Sequence, residues 1–141
     1  MIIKQLSVFL ENESGRLTEL TKVLSENKIN IAALSIAETE DFGIMRMIVS
    51  NPEKAIEVLK ENGFSVHTTD VLCIVTLDVP GALHETLSYL SEAGINVSYM
   101  YGYSSDNKAP LIIKVSDPES AVKILTEKNV SMIPAKEFYK I

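Results

Sequence analysis

Two six-residue stretches carry the directed polar groups of this chain. Asn12-Glu13-Ser14-Gly15-Arg16-Leu17 and Asp78-Val79-Pro80-Gly81-Ala82-Leu83 each join a run of strand character to a helix start. A helix N-terminus leaves backbone N–H groups unpaired and presents the positive end of the dipole, which suits an anion; glycine lets a ligand approach the backbone. Three residues before the glycine stands Asn12 or Asp78, a short side chain able to accept from an ammonium group. A further asparagine, Asn30 or Asn96, opens the next strand among apolar neighbours, in Ile29-Asn30-Ile31 and Ile95-Asn96-Val97. A carboxylate holder, an ammonium acceptor and a bidentate amide are together what a free α-amino acid demands. The plainer reading is that Asn12 and Asp78 shape a turn and that Asn30 and Asn96 satisfy backbone groups after a helix. Retention of the whole set in two diverged copies favours the ligand role.

Catalytic chemistry finds no such support. His67 and His84 share no metal-ligand spacing with Cys73, the single cysteine, which sits in the apolar run Val71-Leu72-Cys73-Ile74-Val75 and reads as a buried strand residue. No serine stands in a nucleophile-elbow context and no glycine loop cradles a phosphate. The carboxylates are spread over helix surfaces. The expectation is a protein with no catalytic residues, no metal and no cofactor.

The elements that must position the two turns repeat as the turns do. Displaced by 66 residues, the step from Gly15 to Gly81, the second half lies on the first without a gap. Leu24-Ser25-Glu26 falls on Leu90-Ser91-Glu92, and Val49-Ser50-Asn51-Pro52-Glu53 on Val115-Ser116-Asp117-Pro118-Glu119. A period that long exceeds the roughly 20–50 residues of solenoid repeats and marks a small domain duplicated and fused. Each copy reads as strand, helix, strand, strand, helix, strand. Leu17, Leu20 and Leu24 recur at helical spacing, as do Leu83, Leu87 and Leu90. Ser14 is a plausible cap for the first helix, and Asn27-Lys28 and Ala93-Gly94 stop the first helix of each copy. Asn51-Pro52-Glu53 and Asp117-Pro118-Glu119 open the second helices with an Asx cap, proline at the first helical position and Glu at the positive end. Fourth strands are expected near 64–69 and 130–138.

The fold expectation is α+β: two tandem ferredoxin-like βαββαβ domains, 1–69 and 70–141, each an antiparallel sheet with its helices on one face. The join, about Thr69-Asp70, keeps the two sheets adjacent. The 141 residues are 46% hydrophobic and 23% charged, ordinary for a globular chain. At about 70 residues a copy has a marginal core, so burial between halves is expected. The net charge of -6, with Lys and Arg scattered singly, argues against nucleic acid and anionic membranes. No run reaches spanning length and the first residues carry no signal sequence, so a reduced cytoplasmic location is expected.

The pattern Asn/Asp-x-Ser/Pro-Gly-x-Leu, a helix, then Ile-Asn-Ile/Val opening a strand within βαββαβ resembles the ACT domain, the amino-acid-sensing regulatory module of phosphoglycerate dehydrogenase, aspartokinase and related enzymes. The resemblance spans the whole chain as two copies. It implies a small-molecule, amino-acid-binding regulator whose ligand sits between copies. One seam would join Asn12, Glu13, Ser14, Gly15, Arg16 and Leu17 to Asn96 and Val97. The other would join Asp78, Val79, Pro80, Gly81, Ala82 and Leu83 to Asn30 and Ile31. Ser14 departs from the usual proline, which Pro80 keeps, so the seams are not equivalent. The first is the expected occupied one, because it combines Asn12, Arg16 and Asn96. Arg16 either clamps a carboxylate or is solvated. Tyr99, Tyr101 and Tyr103 share a strand face that packs or meets a partner, or lines the pocket, and a homodimer is expected. The rivals are an acylphosphatase-type hydrolase using Arg16, and a ligand-free interaction module.

Overall fold

The computed structural model describes residues 1–139. It divides into two compact units. The first comprises Lys4–Thr69 with residues 136–139; the second comprises Asp70–Ala135 with Met1–Ile3.

In the first unit β1 (Ile3–Glu11), α1 (Arg16–Glu26), β2 (Ile31–Glu38), β3 (Phe42–Val49), α2 (Pro52–Glu61) and the start of β4 (Ser65–Leu77) follow in order. The strands stand β2-β3-β1-β4, and β3 is antiparallel to both β1 and β2. Alternation decides which side is dry. Leu6, Val8 and Leu10 of β1 and Met45, Met47 and Val49 of β3 point to one face, where Leu20, Val23 and Leu24 of α1 and Ala55, Val58 and Leu59 of α2 cover them.

The second unit repeats the plan with the rest of β4, α3 (Ala82–Glu92), β5 (Val97–Gly102), β6 (Lys108–Val115), α4 (Pro118–Glu127) and β7 (Ser131–Met132); a four-residue α5 (Ala135–Phe138) follows, of which only Ala135 belongs to this unit. Its strand order is β7-β4-β6-β5, again antiparallel. Leu72, Ile74, Leu90, Ile95, Ile113, Val115, Ala121 and Leu125 form its core. Both copies are thus ferredoxin-like βαββαβ units with helices on one face.

The second helices start as expected: Asn51 Oδ1 accepts from Lys54 N–H at 3.2 Å and Asp117 Oδ1 from Ser120 N–H at 3.1 Å. Three expectations need correction. Thr69 and Asp70 form no linker, since they lie inside the 13-residue strand β4. The fourth strand of the second copy is two residues long, because Pro134 offers no N–H to a ladder and the chain turns into α5. Ser14 does not cap α1: Gly15, at φ 94°, holds the N-cap position with no side-chain bond, as Gly81 does at φ 91° in α3. Among the described residues no helix is long and apolar enough to cross a membrane.

Candidate functional site

The two turns are built alike. Asn12 N–H donates to Asp41 O at 3.0 Å and Asp78 N–H to Asn107 O at 2.8 Å, tying each turn to the hairpin tip beside it. Arg16 N–H and Ala82 N–H close onto Glu13 O and Val79 O, and Glu19 and Glu85 begin the helical ladder on Gly15 O and Gly81 O. The left-handed glycines aim the chain so that several donors remain: among the described residues, the N–H groups of Ser14, Gly15, Leu17 and Thr18 meet no backbone acceptor, nor do those of Gly81, Leu83 and His84. Glu13, Ser14, Gly15 and Leu17 are exposed, as are Asp78, Val79, Pro80, Gly81 and Leu83. Asn12 Nδ2 reaches Glu40 O at 3.4 Å, which leaves its oxygen as the acceptor the turn can offer.

Arg16 is engaged inside its own unit. Its Nε meets Glu11 Oε2 at 2.6 Å, its Nη1 meets Glu19 Oε2 at 2.8 Å, and the guanidinium lies 4.4 Å from the centre of the Phe64 ring. The side chain is 21% exposed. The Glu11 carboxylate raises the guanidinium pKa further, while hydrogen bonds from its own backbone and from Arg16 hold the Glu11 carboxyl below its ordinary value. Sequence reasoning missed these partners; Glu19, three residues ahead on the same helix face, was the available signal. Ala82, at the matching place, is half-buried.

Asn30 and Asn96 are pinned by their backbones, and their side chains make no hydrogen bond among the described residues. Asn30 N–H donates to Ser50 Oγ at 2.9 Å and its carbonyl accepts from Ser50 N–H; Asn96 does the same with Ser116, at 3.0 Å. The two serines were visible in the repeated Val-Ser-Asx-Pro-Glu run and went unassigned. Both asparagines are exposed, and Ile31 and Val97 behind them are half-buried.

Neither unit brings its own turn to its own asparagine. On β3, Glu11 stands opposite Phe42 and Ile31 opposite Val49; on β6, Leu77 stands opposite Lys108 and Val97 opposite Val115. Seven residues of strand separate the two ends in each case, roughly 23 Å at about 3.3 Å per residue.

The remaining candidates are structural. Cys73 is buried, and desolvation pushes its thiol up to about 11, so it holds its proton at neutral pH. His67 packs edge-on against Phe9, with ring centres 5.9 Å apart. Tyr99 and Tyr101 lie opposite Lys114 and Ile112 on the face away from the helices, half-buried, whereas Tyr103 is past the strand end and exposed. No group of three metal-ligating side chains comes together among the described residues.

Residues 1–141 match the family model described as an ACT domain pair. The solved structure of protein BT0572 from Bacteroides thetaiotaomicron is 48% identical over 100% of this chain and 98% of that one, with a TM-score of 0.95. The ligand-free regulatory subunit of aspartate kinase from Thermus thermophilus shares the fold at a TM-score of 0.65 and 16% identity, over 88% of this chain and 91% of that one. The acetolactate synthase small subunit of Buchnera aphidicola subsp. Schizaphis graminum (strain Sg) is 38% identical over 58 residues, 40% of this chain. The match spans 37% of that subunit's own length.

Proposed function

The chain belongs to the ACT-domain-pair family, and from that premise we propose a non-catalytic regulator that binds a free amino acid. The observation that carries the reading is the duplicated turn, with uncommitted N–H groups at a helix start and a side-chain oxygen of Asn12 or Asp78 beside them. The donors take the ligand's carboxylate and the oxygen takes its ammonium group. The names of the relatives, a regulatory subunit of aspartate kinase and a small subunit of acetolactate synthase, agree with a regulatory role. Because turn and asparagine stand at opposite ends of each sheet, the reading requires a turn from one copy and an asparagine from another. Asn12–Leu17 with Asn96 and Val97 is the preferred pairing, and Asp78–Leu83 with Asn30 and Ile31 the second. Arg16, already held by Glu11 and Glu19, positions the first turn; this weighs against the acylphosphatase reading, which needs that guanidinium for a phosphate.

Thermal shift with each of the twenty amino acids tests the proposal. Ligand at a hundredfold over its Kd adds about 2.7 kcal/mol, which raises Tm by a few degrees. Asn96→Ala is expected to weaken binding of the amino acid found by roughly ten- to a hundredfold, through loss of a hydrogen bond to a charged group, with Asn30→Ala much milder. A midpoint that no amino acid moves at millimolar concentration would overturn the reading. Sensitivity at Asn30 alone would reverse the pairing.

A further inference from the structure

The tip of the β2–β3 hairpin is charged in a way its counterpart is not. Glu11, Glu38, Glu40, Asp41 and Phe42 of the first copy stand where the second has Leu77, Ser104, Asp106, Asn107 and Lys108. Four carboxylates and a phenyl ring thus correspond to one carboxylate and one ammonium group. Glu11 shares the Arg16 guanidinium with Glu19. Glu38, Glu40 and Asp41 are exposed and meet no cationic side chain among the described residues.

Beside this tip the sheet is bare and apolar. Strand alternation turns Leu6, Val8 and Leu10 toward the helices, so Phe9 points to the other face. On that face Ile44 stands opposite Phe9 and Ala37 opposite Ile44, while His67 packs edge-on against Phe9. One row therefore crosses all four strands. Phe42, opposite Glu11, is the diagonal neighbour of Phe9. Phe9 is 45% exposed and Phe42 54%. Farther along the same face Arg46 is half-buried and Gln5 and Ile48 are buried, so the bare part is the end at the tip.

Exposed rings set among carboxylates define the occupant. A guanidinium group lies on a phenyl face and forks onto a carboxylate, where an ammonium group offers only a point charge. A second copy brings the same carboxylates and meets like charge, and nucleic acid or an anionic membrane is repelled. We propose that this end of the open sheet face docks an arginine-bearing, apolar segment of a partner protein. The docking surface goes beyond the amino-acid reading and does not depend on it.

The test is titration of the full chain at low salt with a synthetic peptide repeating Arg-Leu-Gly, followed by backbone amide NMR. Peptides repeating Lys-Leu-Gly and Glu-Leu-Gly are the controls. The arginine peptide is expected to move the amides of Phe9, Phe42 and Ile44 and to bind about threefold more tightly than the lysine peptide, while the glutamate peptide moves none of them. Helix α2 carries Glu53, Glu57 and Glu61 but no aromatic side chain, so its amides report charge attraction alone and are expected to stay still. Phe42→Ala lowers the affinity roughly three- to tenfold, as do Glu40→Gln and Asp41→Asn together. Shifts confined to α2, silence at the sheet, or equal binding of the lysine and arginine peptides overturns the proposal, as does a Phe42→Ala variant that binds like the parent. If dilution of the chain alone moves the Phe9 and Ile44 amides, a second copy sits there and the proposal is wrong. Should Phe42→Ala fail to fold, the exposed carboxylate pair decides. None of these outcomes bears on the amino-acid reading, which thermal shift tests by itself.

Discussion

Arg16 shows how neighbours settle the role of a side chain. Its fork is occupied by Glu11 and Glu19 and its flat face by Phe64, so it holds the first turn in place. The sequence left open whether it clamps a carboxylate or is solvated; the carboxylates it clamps belong to its own unit. Glu19 was within reach of a helix-spacing argument, whereas Phe64 lies far along the chain and is brought there only by the tertiary fold. Gly102 is a second residue decided by its surroundings. A Cβ there would collide with Pro110 O and stand 2.6 Å from Leu111 Cδ2, backbone and side chain of the neighbouring strand. Gly102→Ala is therefore expected to destabilise the protein by about 2 kcal/mol, the usual scale of overpacking, as measured by urea denaturation. An unchanged midpoint would show that β5 and β6 move apart at little cost.

The second helices offer a matched pair of elements with different chemistry at one cap. Asn51 and Asp117 each accept from the N–H three residues on, but only Asp117 titrates, and Ser120 Oγ also donates to it at 2.7 Å. Those side-chain and backbone bonds from Ser120 hold the Asp117 carboxyl below its ordinary value near 3.8. The folded pKa is the lower one, so the stabilisation is complete above the ordinary value and fades as pH falls through the folded value. The destabilisation by Asp117→Ala should shrink between neutral pH and pH about 3, while that by Asn51→Ala, about 1 kcal/mol, keeps its size. Thermal denaturation across that range checks both, and a pH-independent Asp117→Ala cost would contradict the assignment. These caps were legible in the sequence because Asx-Pro-Glu is a local signal. Strand β4 was not, because a repeat of 66 residues suggests a boundary at the very place where Thr68, Thr69, Asp70 and Val71 simply remain extended. The short β7 was missed because one proline outweighed the repeat. Gly15, a left-handed residue, stands at the N-cap position expected of Ser14, and no side chain caps α1.

For the whole molecule, the open edges matter most. In the first unit β2 is an edge strand, and Leu34 and Ile36 lie opposite Met47 and Met45 on the core side, yet they are exposed, as are Leu17 and Phe42. Apolar side chains beside an unpaired strand edge call for a partner. The expected outcome of sedimentation equilibrium is a homodimer, twice the 15.6 kDa of one chain, and Leu34→Lys with Ile36→Lys should give a folded monomer. A wild-type monomer at micromolar concentration would refute this. The sequence pointed instead to the three tyrosines as the covered face, because ring spacing is visible in a sequence and the reach of a helix over an edge strand is not. The seams stay at the level of motif for the same reason, since register tells which end of a sheet a residue occupies and not what lies opposite it. The unequal cores also set a tempo. Among the described residues fifteen side chains are buried in the first core and eight in the second. Local opening is easier where less is buried. Deuterium should enter the amides of α3 and β5 well before those of α1 and β3, giving one small chain a slow half and a quick half. A ligand in the quick half would then act as a brake, visible in the mass spectrum as lost uptake there and nowhere else.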